Sequence, residues 1–478
     1  MKTTFLLRLL APCLLLGGCG PEERIWWAPG GQEAAVLADG GLCLAKPDGT
    51  LDAPIAGGGA DILAPPSAAS WIPDGSGLVL CRQRKISSWE DAAKLLPARE
   101  AENIEWLALA IPALLEGAAK LSGQPPDAES LLGSLTSGDP DDFLQALLCA
   151  FQNQKRPVQK ALLKLPKGAE LLAKLKGSSF GIYEICLITL HGGREEGSPK
   201  TLARSLHAMA QPKVSPKHRA VGYLMAGAQS PSIEVIGLEG GDRLSVGEAE
   251  AFDWAPDGRS IIFATPAAGK DGPLKKIQRV TALQESGALM RAGGDANAPE
   301  AMPPPVDLGM ALLIDPPRLQ ALPDGSVLFA SQAAAFPAAG PGPEISPKLF
   351  VVSEDGKTMR AIATAPGTLP ASLSYFVASP DGKLAAVVDG GTDAVTVVDL
   401  ASGTSEVISP AHPGWGCETL PAWRSPAELS FAALDMPGGS PAWMLWSKAG
   451  GARPISGKWP PHAARDWLKK EKPKAEAP

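Results

Sequence analysis

Trp254-Ala255-Pro256-Asp257-Gly258, followed by Arg259-Ser260-Ile261-Ile262-Phe263-Ala264, reads as a tight turn feeding a strand. Proline pre-sets the first corner of such a turn, aspartate can hydrogen-bond its own backbone, and glycine supplies the positive φ that ends it. The β-branched and aromatic run that follows has strand composition. One such turn makes a hairpin, but this one recurs. Close copies are Trp71-Ile72-Pro73-Asp74-Gly75, Leu322-Pro323-Asp324-Gly325 and Ser379-Pro380-Asp381-Gly382. Weaker copies are Trp27-Ala28-Pro29-Gly30-Gly31, Val214-Ser215-Pro216-Lys217 and Trp423-Arg424-Ser425-Pro426.

Each copy carries the same downstream grammar: an apolar entry, the turn, a strand, a second alternating strand and a short outer strand. In the sixth copy Tyr375-Phe376-Val377-Ala378 enters, Leu384-Ala385-Ala386-Val387-Val388 leaves the turn, Ala394 to Leu400 returns, and Glu406-Val407-Ile408 finishes. The turns centre near residues 29, 73, 216, 256, 323, 380 and 426, so four intervals are 44, 40, 57 and 46 residues. Four short antiparallel strands repeating at that period predict propeller blades. The remaining intervals, 143 and 67 residues, require insertions. A β-sandwich with long loops would not explain one turn recurring with its own strands. The 52 Gly and 47 Pro residues spread along the chain also suit many short strands better than a helical bundle.

These turns resemble the TolB-type propeller repeat, a relative of the Trp-Asp repeat, whose pattern is Trp-Ser-Pro-Asp-Gly followed by a strand. The resemblance covers most of residues 25–458 outside the insertions and implies an all-β propeller. Seven four-stranded blades are expected. Copies one, three and seven have lost Asp, Gly or both, so closure with six blades stays open.

The larger insertion falls in the second copy, where Leu78-Val79-Leu80-Cys81 is parted from its return strand, Ile182 to Leu187, by about a hundred residues. Helical spacing of Ile104, Leu107, Ile111, Leu114, Leu115 and Ala118, and an Asp139-Pro140 start before Phe143 and Leu147, predict a helical subdomain over 87–178. Residues 286–316, with Met302-Pro303-Pro304-Pro305, read as a surface loop, and 459–478 as a C-terminal tail whose stretch from Lys469 to Pro478, rich in Lys, Glu and Pro, is expected to be disordered.

Residues 1–18 place Lys2 and Arg8 around a short apolar core that ends in small residues, the pattern of a secretory signal. Leu16-Gly17-Gly18-Cys19 resembles the lipobox of bacterial lipoproteins, which implies acylation at Cys19 and a tether over 19–24. Gly20 in place of an inner-membrane retention Asp favours the outer membrane, with the body in the periplasm. The chain carries a net charge of −7, and loss of two cationic residues with 1–18 makes it about −9. An acidic chain with no basic patch argues against nucleic acid. Beyond Cys19 the cysteines are Cys43, Cys81, Cys149, Cys186 and Cys417, an odd set without metal-knuckle spacing. Buried free thiols are expected, and Cys81 with Cys186 on neighbouring strands is the one pairing left open.

The sequence contains no Gly-x-Ser-x-Gly, His-Glu-x-x-His, phosphate-cradling Gly loop or Cys-x-x-Cys. No catalytic residue, metal site or cofactor is predicted. Asp253, Trp254, Trp71 and Trp423, at the blade entries, are the candidate contacts for a ligand at the channel mouth. The expected function is that of a lipid-anchored binding or scaffold module of the bacterial envelope. Envelope proteins are its expected partners, with 87–178 as a docking element. The alternative is a propeller hydrolase or lyase acting on a glycan or peptide in the channel. Nothing in the sequence indicates the oligomeric state.

Overall fold

The Pro-Asp-Gly segments fold as local physics dictates. In the computed structural model Gly75, Gly258, Gly325 and Gly382 take φ of +76°, +71°, +85° and +69°. Each donates its backbone N–H to the residue three positions earlier, as in Gly258 to Ala255 at 2.9 Å. The Asp carboxylates cap the turns from inside: Asp74 accepts from the Ser76 amide, Asp324 from Ser326, and Asp257 from both Arg259 and Ser260 at 2.8 Å. Burial opposes the charge on Asp257, but these amides, the Ser260 hydroxyl and Arg279 outweigh it and hold its pKa at about 2.

The structure describes residues 23–97 and 180–456, except 39–40, 57–60, 64–68, 192–193, 227–229, 268–273, 292–300, 336–347, 363–368, 370–372, 390–393, 410–419 and 435–440. The expected signal segment and Cys19, most of the expected helical insertion and the expected C-terminal tail lie outside these residues. Of 87–178, only a short helix, Trp89–Leu95, capped by the Ser88 hydroxyl, is described.

The described strands form six antiparallel sheets in a propeller arrangement. The first comprises Ile25–Trp27, Ala34–Ala38, Gly41–Ala45 and Leu51–Ala56. The second is built on the long hairpin Gly77–Ile86 with Phe180–His191, flanked by Ala69–Trp71 inside and Lys200–Ser205 outside. The third runs Met209–Val214, Ala220–Met225, Ser232–Gly237 and Arg243–Glu248. The last two are Leu373–Ala378 to Ser405–Ser409 and Ala422–Ser425 to Gly451–Ser456.

Between the third sheet and these lies an eight-stranded sheet covering two copies of the repeat, Ala251–Trp254 onward and Leu319–Ala321 onward. The copies join because Val306–Leu313 pairs with Lys275–Thr281 on one side and Val327–Ala335 on the other. The surface-loop expectation for 286–316 is thereby corrected: its last third is a strand. Leu308 and Ala311 are buried there against Ile277 and Val327, and that burial outweighs the Pro-rich sequence just before it.

Apolar cores sit between successive sheets, so inner sheets are buried on both faces. Leu78 and Leu80 face the first sheet, while Val79 and Cys81 face the third. That is why these strands read as unbroken apolar runs rather than as alternating ones. The same alternation settles the cysteines. Cys81 lies opposite Ile185, and Cys186 opposite Leu80, so the two thiols enter different cores. Both are free, as is Cys43, and burial pushes the Cys186 thiol up to about 11.

The folded body begins before residue 25. Arg24, assigned from sequence to a tether, is 1% exposed and donates through Nε and Nη2 to the Leu37 carbonyl. The guanidinium extends the first sheet's pairing by one step.

The turns also lock neighbouring sheets. The Ser215 hydroxyl donates to the Gly258 carbonyl at 2.7 Å, and a Cβ on Gly258 would fall 2.7 Å from Lys217 Cβ. A Cβ on Gly75 would meet nothing within 4 Å. Gly75→Ala is therefore expected to cost about 1–2 kcal/mol, for its left-handed φ alone. Gly258→Ala should cost more by about 1 kcal/mol or over, as overpacking adds to the φ cost. Denaturant unfolding of the two variants measures the difference, and equal losses would show that the turns do not interlock.

The central channel as candidate functional site

The innermost strand of each sheet has one edge with no strand to pair with, and side chains satisfy it. Where a copy of the repeat has Trp before its turn, the indole N–H reaches back to the preceding inner strand. Trp71 donates to the Trp26 carbonyl at 2.7 Å, Trp254 to Lys213 at 2.8 Å and Trp423 to Val377 at 2.9 Å. Trp27 donates to the Ser430 hydroxyl at 2.8 Å, which joins the first sheet to the last.

Where Trp is missing, the preceding copy reaches forward instead. Val214, Ala321 and Ala378 stand where Trp would, and their backbone N–H groups are taken by Ser70 Oγ, Asp253 Oδ2 and Gln320 Oε1 at 3.1, 2.9 and 2.7 Å. The sequence candidates divide accordingly. Trp71 and Trp423 border the central cavity and are 8% exposed. Trp254, at 4% exposure, does not line that cavity: its ring packs among Phe252, Ile261 and Leu244 in the core between sheets. Asp253 is committed to the Ala321 amide and to Lys213 Nζ at 3.2 Å. It stands in for an absent indole.

The inner strands enclose a cavity of about 370 Å³. Its wall includes the aromatic residues Trp26, Trp71, Tyr375 and Trp423, and the charged residues Glu23, Lys213 and Arg318. Arg318 stands just before Leu319–Ala321, Tyr375 lies on Leu373–Ala378, and Glu23 precedes Ile25–Trp27. Nη1 of Arg318 meets Glu23 Oε1 at 2.8 Å, and the Tyr375 hydroxyl donates to the same oxygen at 3.1 Å. The guanidinium also lies 4.4 Å from the Tyr375 ring centre, within cation–π range. Burial raises the Tyr375 pKa, with Glu23 adding to it, so the phenol stays neutral and donates. Burial works against the charge on Arg318, but the Glu23 carboxylate beside it raises its pKa and keeps it cationic.

Lys213 Nζ donates to the Phe252 carbonyl at 2.6 Å besides its pair with Asp253. Beside it Gln211 holds φ of +51°, the left-handed region, at a bulge between Ala210 and Lys213. Two buried donors of residues on the cavity wall, Arg318 Nε and Trp26 Nε1, have no hydrogen-bond partner among the described residues. No group of three or more His, Cys, Asp or Glu lies close enough to hold a metal ion among the described residues.

Sequence reading missed Glu23, Arg318 and Tyr375 as a group. Tyr375 was visible in a blade entry. Glu23 fell in the expected tether, and 295 residues separate it from Arg318.

No family model matches the chain, and no curated protein matches it. Among solved structures it is similar to TolB from Acinetobacter baumannii, at 18% identity and a TM-score of 0.33. That match covers 56% of this chain and 58% of TolB, so the chain spans little more than half of that relative. It is similar to an oligogalacturonate lyase in complex with manganese at 11% identity and a TM-score of 0.38, covering 90% of this chain and 78% of the lyase. It is also similar to the β-propeller domain of Myceliophteria thermophila Cps50 (Swd1), at 9% identity and a TM-score of 0.41, covering 90% and 98%.

The role given to Asp253 predicts a graded response. Asp253→Ala strands the Ala321 N–H and should destabilise by about 1–3 kcal/mol. Asp253→Asn keeps a carbonyl for that amide and loses only the ion pair with Lys213, whose side chains are 26% and 20% exposed, expected at about 1 kcal/mol. Thermal unfolding of both variants checks the order; equal losses would mean that charge, not the hydrogen bond, is what matters at this position.

Proposed function

We propose that this chain is a seven-bladed propeller lipoprotein, anchored to the outer membrane through Cys19, that binds a ligand or protein of the bacterial envelope through its central channel. The observation that carries the binding reading is the cavity itself: concave, with Trp26, Trp71, Tyr375 and Trp423 in its wall, and bordered by inner strands that hydrogen bonds join to one another. Preformed cavities with few converging polar groups are the usual form of ligand sites. Seven blades follow if the eight-stranded sheet counts as two. The core packing Ala251, Ile262 and Leu308 against Leu319, Val327 and Phe329 supports that count, since its halves stack face to face.

The anchor rests on the sequence of residues 1–19. Glu23 lies in the channel wall, and four residues reach at most about 14 Å, so acylation at Cys19 would hold this mouth close to the lipid. Replacing Cys19 by Ser is expected to move the protein from the membrane to the soluble fraction. Unchanged fractionation would sink the anchor.

The insertion over 87–178 is proposed as a partner-docking element. Ile86 and Phe180 are directly paired at the far end of the hairpin, so residues 87–179 can be replaced by a short turn without parting the strands. Cross-linking in cells is expected to lose at least one partner in that variant while the purified propeller melts as before. An identical partner set would make the insertion passive.

The second reading, a propeller hydrolase or lyase acting on a glycan or peptide, is favoured by one observation: Glu23, Arg318, Tyr375 and Lys213 reach a common cavity. The binding reading is preferred because Glu23 and Arg318 are paired with each other, and Lys213 with Asp253. A general base needs a proton acceptor facing substrate.

A further inference from the structure

The carboxylate of Glu23 crosses to Arg318, just before one inner strand, and to Tyr375 on another, inside a cavity whose wall also carries Trp26, Trp71, Trp423 and Lys213. It meets the guanidinium through Nη1, and Nε is buried with no hydrogen-bond partner among the described residues. Arginine matches a carboxylate best through two parallel N–H donors. An oxygen pair free of the chain can approach in that way, whereas Glu23 must also satisfy the path of the residues after it. Trp26, next but two along the chain, leaves its own indole N–H unpaired on the same wall. The unmet groups are thus donors, and they call for an acceptor-rich ligand.

We propose that Arg318 and Tyr375 form a carboxylate-binding site in the central channel, which Glu23 of the chain's own N-terminal segment occupies until a ligand carboxylate displaces it. The ligand class is an organic carboxylate small enough to enter, either free or borne on the end or side chain of a larger molecule. Tyr375, kept neutral by burial, supplies a hydrogen bond, and Arg318 supplies the charge. The inference rests on the reading of the channel as a binding site, but not on the anchor or the insertion, whose tests stand apart from it.

The test uses the full chain and propionate, the free acid nearest to a glutamate side chain, at constant ionic strength, with propionamide as the neutral control. Binding is read from intrinsic tryptophan fluorescence, since Trp26, Trp71 and Trp423 border the cavity. Glu23→Ala is expected to bind propionate about tenfold more tightly than the wild type, the ratio for a site its own side chain fills about nine-tenths of the time. Adding Arg318→Met should abolish the saturable response, and propionamide should produce none in any form. Equal affinity in wild type and Glu23→Ala, or an equal response to propionamide, overturns the proposal. Glu23→Gln, which keeps a neutral side chain of the same shape at Tyr375, is the second variant should the alanine form not fold. It is expected to bind propionate at least about threefold more tightly than the wild type through loss of the competing charge alone, and an affinity equal to the wild type's would likewise overturn the site.

Discussion

Every innermost strand ends its sheet with a row of backbone groups that no further strand covers, and the rest of the structure depends on how those edges are satisfied. An open edge invites pairing with another chain. Here successive inner strands are tied by side chains, either an indole reaching back or a Ser, Asp or Gln reaching forward, and between the first and last sheets Trp27 reaches Ser430 on the second strand. Both solutions act at the same step of the repeat, and Gln320 adds a second bond there, to the Ala378 carbonyl. Their geometry sets the spacing of the inner strands and hence the width of the cavity. A binding surface made this way is rigid before any ligand arrives, so little ordering cost falls on binding.

How much of this was legible in the sequence depends on range. The turns were, because Pro256, Asp257 and Gly258 act on their own backbone and need no distant partner. The blade strands were, because burial on both faces leaves runs such as Ala385 to Val388 apolar throughout. Trp254 and Trp71 look alike in sequence, and both pack in cores between sheets and donate their indole N–H to the preceding inner strand; Trp71 alone of the two also borders the cavity. Asp253 drew notice as the one charged residue in a blade entry. Its reason is the alanine at 321, where an indole would stand, and that link spans 68 residues. Val306–Leu313 was hidden for another reason: a proline run before it masks a strand whose partners come from two copies of the repeat.

The charges in the channel stand apart from this scaffold. The inner-strand bonds listed above involve neither Glu23 nor Arg318. A partly buried ion pair recovers little more than its desolvation cost. Its presence at a site already held rigid by other bonds is therefore poorly explained by stability alone. The pair puts a cation, a neutral phenol and several rings around one small volume, a combination suited to recognising an anion with an apolar body.

The seam between the first and last sheets shows why such a site can exchange occupants without opening the ring. Among the described residues no strand is traded across it: the first sheet is built from residues 25–56 and the last from 422–456. Closure falls to side chains. Trp27 stacks against Trp443 with ring centres 5.8 Å apart, and its indole bonds to Ser430. Arg424 lies over the Trp27 ring and donates to the Gly31 carbonyl. Each of these groups lies on the C-terminal side of Glu23, and Arg24 is fixed separately within its own sheet. The seam thus holds through Trp27 and Arg424 whether or not the Glu23 carboxylate is on Arg318.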